Sequence, residues 1–129
     1  MSDKLLEVGN YKDEFNKILG VNIDSQLIYR STGLPAHMIK RKHFNCLKYI
    51  DYISDIIENP DYVGINPNED GESSIEFIKR YKINVLICVK LDSDKNHMYV
   101  STMHDISESK ILRRLHSGRL KEFPKRVDT

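Results

Sequence analysis

His37, Lys40 and Arg41 stand at i, i+3 and i+4 in a helix-compatible stretch, which would set two cations within one turn of an imidazole. That notch is phosphate-sized, and its cations favour the neutral imidazole that a general base needs near neutral pH. The same residues would equally form the solvated side of a basic helix. His43-x-x-Cys46 sets two soft ligands on adjacent turns, with His97 or His104 available to complete a site. These spacings match no zinc signature, and a buried Cys46 near a surface His is the simpler reading. In residues 74–81, alternation puts Ser74, Glu76, Ile78 and Arg80 on one strand face and Ile75, Phe77, Lys79 and Tyr81 on the other. Each face then carries a charge that must be paired or lie at a cleft rim. In residues 97–103 alternation groups Thr102 with Met98 and Val100, so its hydroxyl needs a hydrogen bond or a ligand. Residues 115–119 end on Gly118 and the fork-shaped donor of Arg119, suited to phosphate or to a helix cap. There is no Gly-rich phosphate loop, HExxH, GxSxG or paired-Cys motif, so chemistry without metal or cofactor is expected.

The elements that must position these residues follow from periodicity. Tyr11, Phe15, Ile18 and Leu19 predict a helix over 11–19, with Asn10 as N-cap and Gly20 beyond its end. Residues 26–30 read as a short strand, and Pro35 opens a basic helix to about residue 42. Phe44, Leu47, Ile50, Ile53 and Ile57 continue at helical spacing until Asn59-Pro60, as one bent helix or two. Strands are predicted at 61–65, 74–81, 83–91 and 97–103, with a polar loop at 66–71 and a hairpin loop at 92–96. Asp105 with Glu108 reads as the capping box of a last helix that ends at Gly118. The short connections between strands imply an antiparallel meander. The expected fold is therefore α+β: N-terminal helices, an antiparallel sheet of four to five strands, and a C-terminal helix. Residues 1–25 would be a helical extension, 26–121 the main domain, and 122–129 a loose tail.

Composition sets the outer limits. A chain of 129 residues, 40% hydrophobic and 30% charged, has room for one core. Cys46 and Cys88 fit a reducing cytoplasm better than a disulfide scaffold. Nowhere does an apolar run approach the roughly 18 residues that a membrane span needs, so no membrane partner is expected. The net charge of +1 argues against a polyanion partner until the charges are sorted by position. Residues 25–49 hold Arg30, Lys40, Arg41, Lys42 and Lys48 with no acid, whereas 50–76 hold eight acids and no base. Residues 110–126 hold Lys110, Arg113, Arg114, Arg119, Lys121, Lys125 and Arg126 against Glu122. Neutrality is a cancellation, and the basic blocks at 25–49, 77–90 and 110–126 are expected to converge on one cleft for an anion while the acidic 50–76 run faces elsewhere.

One ordered series extends this reading: 27–30 (LIYR), 33–41 (GLPAHMIKR), 56–64 (IIENPDYVG), 74–79 (SIEFIK), 99–103 (YVSTM) and 117–120 (SGRL). It resembles the phage-associated branch of the barnase/EndoU/colicin/RelE-like nuclease superfamily (PBECR) over about 26–121. The resemblance implies an α+β fold and a metal-independent endoribonuclease of toxin or phage type, which would cut RNA through attack of its own 2′-OH. His37, Glu76, Lys79, Thr102 and Arg119 are the catalytic positions it implies: His37 or Glu76 for proton transfer, Lys79 and Arg119 for phosphate charge, and Thr102 for orienting the phosphate. Lys40, Arg41, His43, Arg80, His104 and Ser117 are the expected substrate contacts, His104 standing where an aromatic is usual. RNA is the expected partner, with a protein antidote or host protein as a further one. A catalytically inactive RNA- or protein-binding module of a mobile element is the alternative.

Overall fold

The computed structural model describes residues 4–67, 73–92 and 97–124. Its centre is a seven-stranded mixed sheet in the order β1-β2-β6-β5-β4-β3-β7. The strands are β1 (Leu5–Tyr11), β2 (Gln26–Ser31), β3 (Tyr62–Pro67), β4 (Ser73–Arg80), β5 (Asn84–Asp92), β6 (His97–Asp105) and β7 (Leu120–Glu122). The helices are α1 (Asp13–Leu19), α2 (Leu34–Lys40), α3 (Ile53–Glu58) and α4 (Glu108–Ser117), with a 3₁₀ segment over Phe44–Tyr52.

The antiparallel meander exists as β3-β4-β5-β6, but it is not the whole sheet. Among the described residues the first element is a strand rather than a helix, and β2 pairs with β6 in parallel. The parallel pair escapes a neighbour-by-neighbour reading because its crossover is the whole of residues 32–96. β1 is disguised by a register shift between Glu7 and Gly9, which turns Val8 and Tyr11 inward at a spacing of three that imitates a helix. Tyr11 therefore ends a strand, and Lys12 rather than Asn10 precedes α1. At the other end the expected tail from residue 122 is partly built: β7 pairs with β3, and Phe123 is buried. Residues 125–129 and most of the two expected loops lie outside the described residues.

The 35–58 stretch breaks at Lys42, whose φ of 63° is left-handed, so α2, the 3₁₀ segment and α3 are separate pieces. They pack with α1 on one sheet face. There Phe15 meets Phe77 edge-on at 5.1 Å, beside Ile28, Ile87, Met98 and Met103. The opposite face carries a smaller cluster of Ile78, Leu86, Cys88, Ile106, Ile111 and Leu120, covered at one end by α4. Ser107, not Asp105, caps α4 by accepting from the Lys110 N–H at 3.3 Å. Glu108 is drawn away from a capping role by Arg80, which pairs with its carboxylate and also donates to the Tyr62 hydroxyl at 2.9 Å. Among the described residues no helix is long and apolar enough to cross a membrane.

Candidate active site

Glu76 is the buried acid of the α4 side of the sheet, at 2% exposure. A carboxylate removed from water needs several donors, and two arginines supply them. Arg119 donates from Nε to Oε1 at 3.2 Å and from Nη2 to Oε2 at 3.3 Å, while Arg114 donates from Nη1 to Oε2 at 3.1 Å. The Cys88 thiol lies 4.0 Å from Oε2. That thiol is pushed up to about 11, by burial first and the Glu76 charge second, against the Ser74 hydrogen bond and the Arg114 and Lys90 charges. Cys88 is thus held as a neutral packing group.

Two glycines let the arginines reach this carboxylate. Gly118 caps α4 at φ 83°, a left-handed conformation that turns the chain into β7. Gly64 lies opposite Glu76 on β3, where a Cβ would come 2.5 Å from the Arg119 carbonyl oxygen. Without that bare backbone, Arg119 could not lie across the sheet at this height. Ser117 tightens the same corner, donating to the Arg114 carbonyl at 3.1 Å and accepting from the Arg119 N–H at 3.4 Å. Lys110, Arg113, Arg114, Ser117 and Arg119 line a recess of about 300 Å³. With part of each guanidinium taken by Glu76, the remaining donors give the recess the charge and geometry to receive an anion.

Strand register extends the site across the sheet. Gly64, Glu76, Cys88 and Thr102 form one cross-strand row, so Thr102 shares the face of the arginine pair. Strict alternation groups it with Val100, but a bulge between Cys88 and Val89 in the pairing makes Ser101 the extra residue and turns Thr102 over. Ser101 donates to the Cys88 carbonyl at 3.3 Å. His104, two residues on, shares that face and packs against His43 with ring centroids 5.3 Å apart. Burial, and after it the His104 charge, hold the His43 imidazole below its ordinary value; Asp105 opposes this, and His37 and Arg41 add to it. The His43 ring thus has His104 against it and His37 within electrostatic reach. His37 itself lines a second recess, of about 400 Å³, with Ser31, Gly33, Leu34, Tyr99, Val100 and Ser101.

The remaining expected residues lie elsewhere. Lys79 points to the opposite face, where its ammonium donates to the Asn59 carbonyl at 2.8 Å and pairs with Asp55 at 3.3 Å. Arg80 shares the face of Glu76 but is tied to Glu108 and Tyr62. Lys40 and Arg41 are exposed at the end of α2. The basic blocks thus do not converge as wholes, and one acid of the 50–76 run, Glu76, is the centre of the arginine cluster. Arg114 was not singled out by motif, although Lys110, Arg114 and Ser117 recur at i, i+4 and i+7 of the last helix and mark its polar stripe. Among the described residues no group of three or more His, Cys, Asp or Glu is placed to hold a metal ion.

No curated protein and no solved structure matches the chain. One family model, PBECR3, described as phage-Barnase-EndoU-ColicinE5/D-RelE like nuclease3, matches residues 7–113, a span that runs from β1 into α4 and holds Glu76, Thr102, His37, His43 and His104. A match over most of the chain shows the family: this protein belongs to the phage barnase-EndoU-colicin-RelE-like nucleases.

Proposed function

We propose that the protein is a metal-independent endoribonuclease, cleaving RNA by attack of the 2′-OH on the adjacent phosphate and leaving a 2′,3′-cyclic phosphate. The observation that carries this reading is the buried Glu76, which fixes two arginines at the wall of a basic recess. Transesterification of RNA needs no external nucleophile; it needs charge stabilisation at the phosphorane and a base and an acid on opposite sides of it. Arg114 and Arg119 supply the first. His37 and His104 would supply the second: His37 lines the recess that reaches Ser101, the residue before Thr102, and His104 stands two residues beyond Thr102 on β6. Thr102, on the row of Glu76, orients the phosphate between them. Glu76 acts through the arginines, and Lys79 serves packing through Asp55.

The histidine assignment has a direct test. Proton-transfer groups contribute about 10²–10⁴-fold each, so His37→Ala and His104→Ala are each expected to lower kcat for RNA cleavage by that range while RNA binding persists. His43 adds a pH signature. With its pKa held below 6.5, it becomes charged only as pH falls through that lowered value, and the new cation beside His104 should steepen the acid limb of the rate profile. His43→Asn removes that contribution. Full activity of both alanine variants would refute the assignment.

A further inference from the structure

The same sheet face continues past the catalytic row into a part that α4 does not cover. Val89 pairs with Val100 beyond the bulge, so Lys90 and Tyr99 come next on this face, and Tyr99 pairs in turn with Tyr29 of β2. His97, two residues before Tyr99, meets the Tyr29 ring edge-on at 5.2 Å. Tyr29, Lys90, His97 and Tyr99 are all half-buried, in contrast to Ile28, Met98 and Val100, which face the main core. A sheet face spends aromatic area on water only at some cost, and three rings beside a lysine form a surface fit for flat, anionic polymers.

We infer that Tyr29, His97 and Tyr99 form a base-stacking platform for single-stranded RNA, with Lys90 on the phosphate path between the platform and the arginine recess. The inference rests on the proposed ribonuclease reading and gives it a substrate form. Charge complementarity selects the occupant: Lys90 pairs with Tyr99 and stands two residues along β5 from Cys88, which pairs with Glu76, so a cation lies between the arginine recess and the rings. On the far side Glu7 pairs with Tyr29 across β1, an acid that discourages the backbone from leaving by that edge. Tyr99 also lines the His37 recess, so the platform and that recess adjoin at this residue. A duplex keeps its bases stacked on each other and cannot offer their faces, so the platform favours unpaired strands.

The test is binding of a single-stranded 2′-O-methyl RNA oligonucleotide, which lacks the attacking hydroxyl and stays intact, compared with the same sequence as a duplex. Stacking on an aromatic contributes roughly 5- to 100-fold per base, so Tyr29→Leu with Tyr99→Leu should weaken single-strand binding at least about tenfold and barely affect the duplex. The corresponding Phe variants, which keep the ring, should bind as the wild type does. Unchanged single-strand affinity in the Leu variant, or equal loss for both probes, would overturn the platform. Because binding is read without cleavage, the two readings separate. A wild type that makes no product, with the Leu variant still losing single-strand affinity, would support the platform and sink the ribonuclease. A wild type that cleaves RNA, with the Leu variant binding normally, would do the reverse.

Discussion

Arg119→Ala is expected to lower RNA cleavage by about 10²–10³-fold, the usual effect of removing one preorganised donor from a developing oxyanion. Arg119 meets Glu76 through Nε and one Nη2, which fixes the plane of its guanidinium and leaves other N–H groups for the recess. The loss should fall mainly on kcat, since Lys110, Arg113 and Arg114 remain to attract the phosphodiester backbone. Arg119→Lys should recover little, because an ammonium cannot donate to both carboxylate oxygens and also present a planar fork to phosphate. Steady-state kinetics on a fluorogenic single-stranded RNA reads both variants. A lysine variant with wild-type kcat would show that only charge matters at this position.

Glu76→Gln combines a stability loss with an activity loss. Removing the charge leaves two guanidiniums facing a buried amide that offers one acceptor and two competing donors. Breaking a buried ion pair of this kind costs about 3 kcal/mol, which for a domain of this size lowers Tm on the order of 10 °C. The arginines retain some access to water, with side-chain exposures of 21% and 31%, so they can swing outward rather than unfold the sheet. Cleavage should fall nearly as far as in Arg119→Ala, and the double variant should be scarcely worse than either single one, as expected when residues act as a unit. The pH profile separates positioning from direct proton transfer: residual activity of Glu76→Gln should keep the acid limb of the wild type. Disappearance of that limb would make Glu76 itself the base.

Much of the scaffold was legible in the sequence because its signals are local. The β3 to β6 meander follows from alternation, and α4 from its apolar stripe and Gly118. Alternation assigns faces rightly where strands are regular, and Glu76 and Lys79 lie on opposite sides of β4 as it predicts. They failed at bulges, where a single extra residue reverses every later side chain: Thr102 moved to the arginine face and β1 took on a helical spacing. Long-range pairing was out of reach for a different reason. Nothing in residues 26–31 or 97–105 announces that they lie in parallel across a crossover of more than half the chain. The arginine recess was half visible: Arg119 and Ser117 stood out beside Gly118, but the burial of Glu76, which organises the recess, depends on Gly64 accepting the Arg119 backbone from a distant strand.

The most direct measurement is end-group analysis of products from wild-type protein incubated in EDTA with a single-stranded RNA and with its all-deoxy counterpart. The account predicts RNA fragments ending in 2′,3′-cyclic phosphate and an intact DNA strand, since the deoxy strand lacks the nucleophile. Cleavage of the DNA, loss of RNA cleavage in EDTA, or RNA products carrying 5′-phosphate and 3′-hydroxyl ends would contradict it.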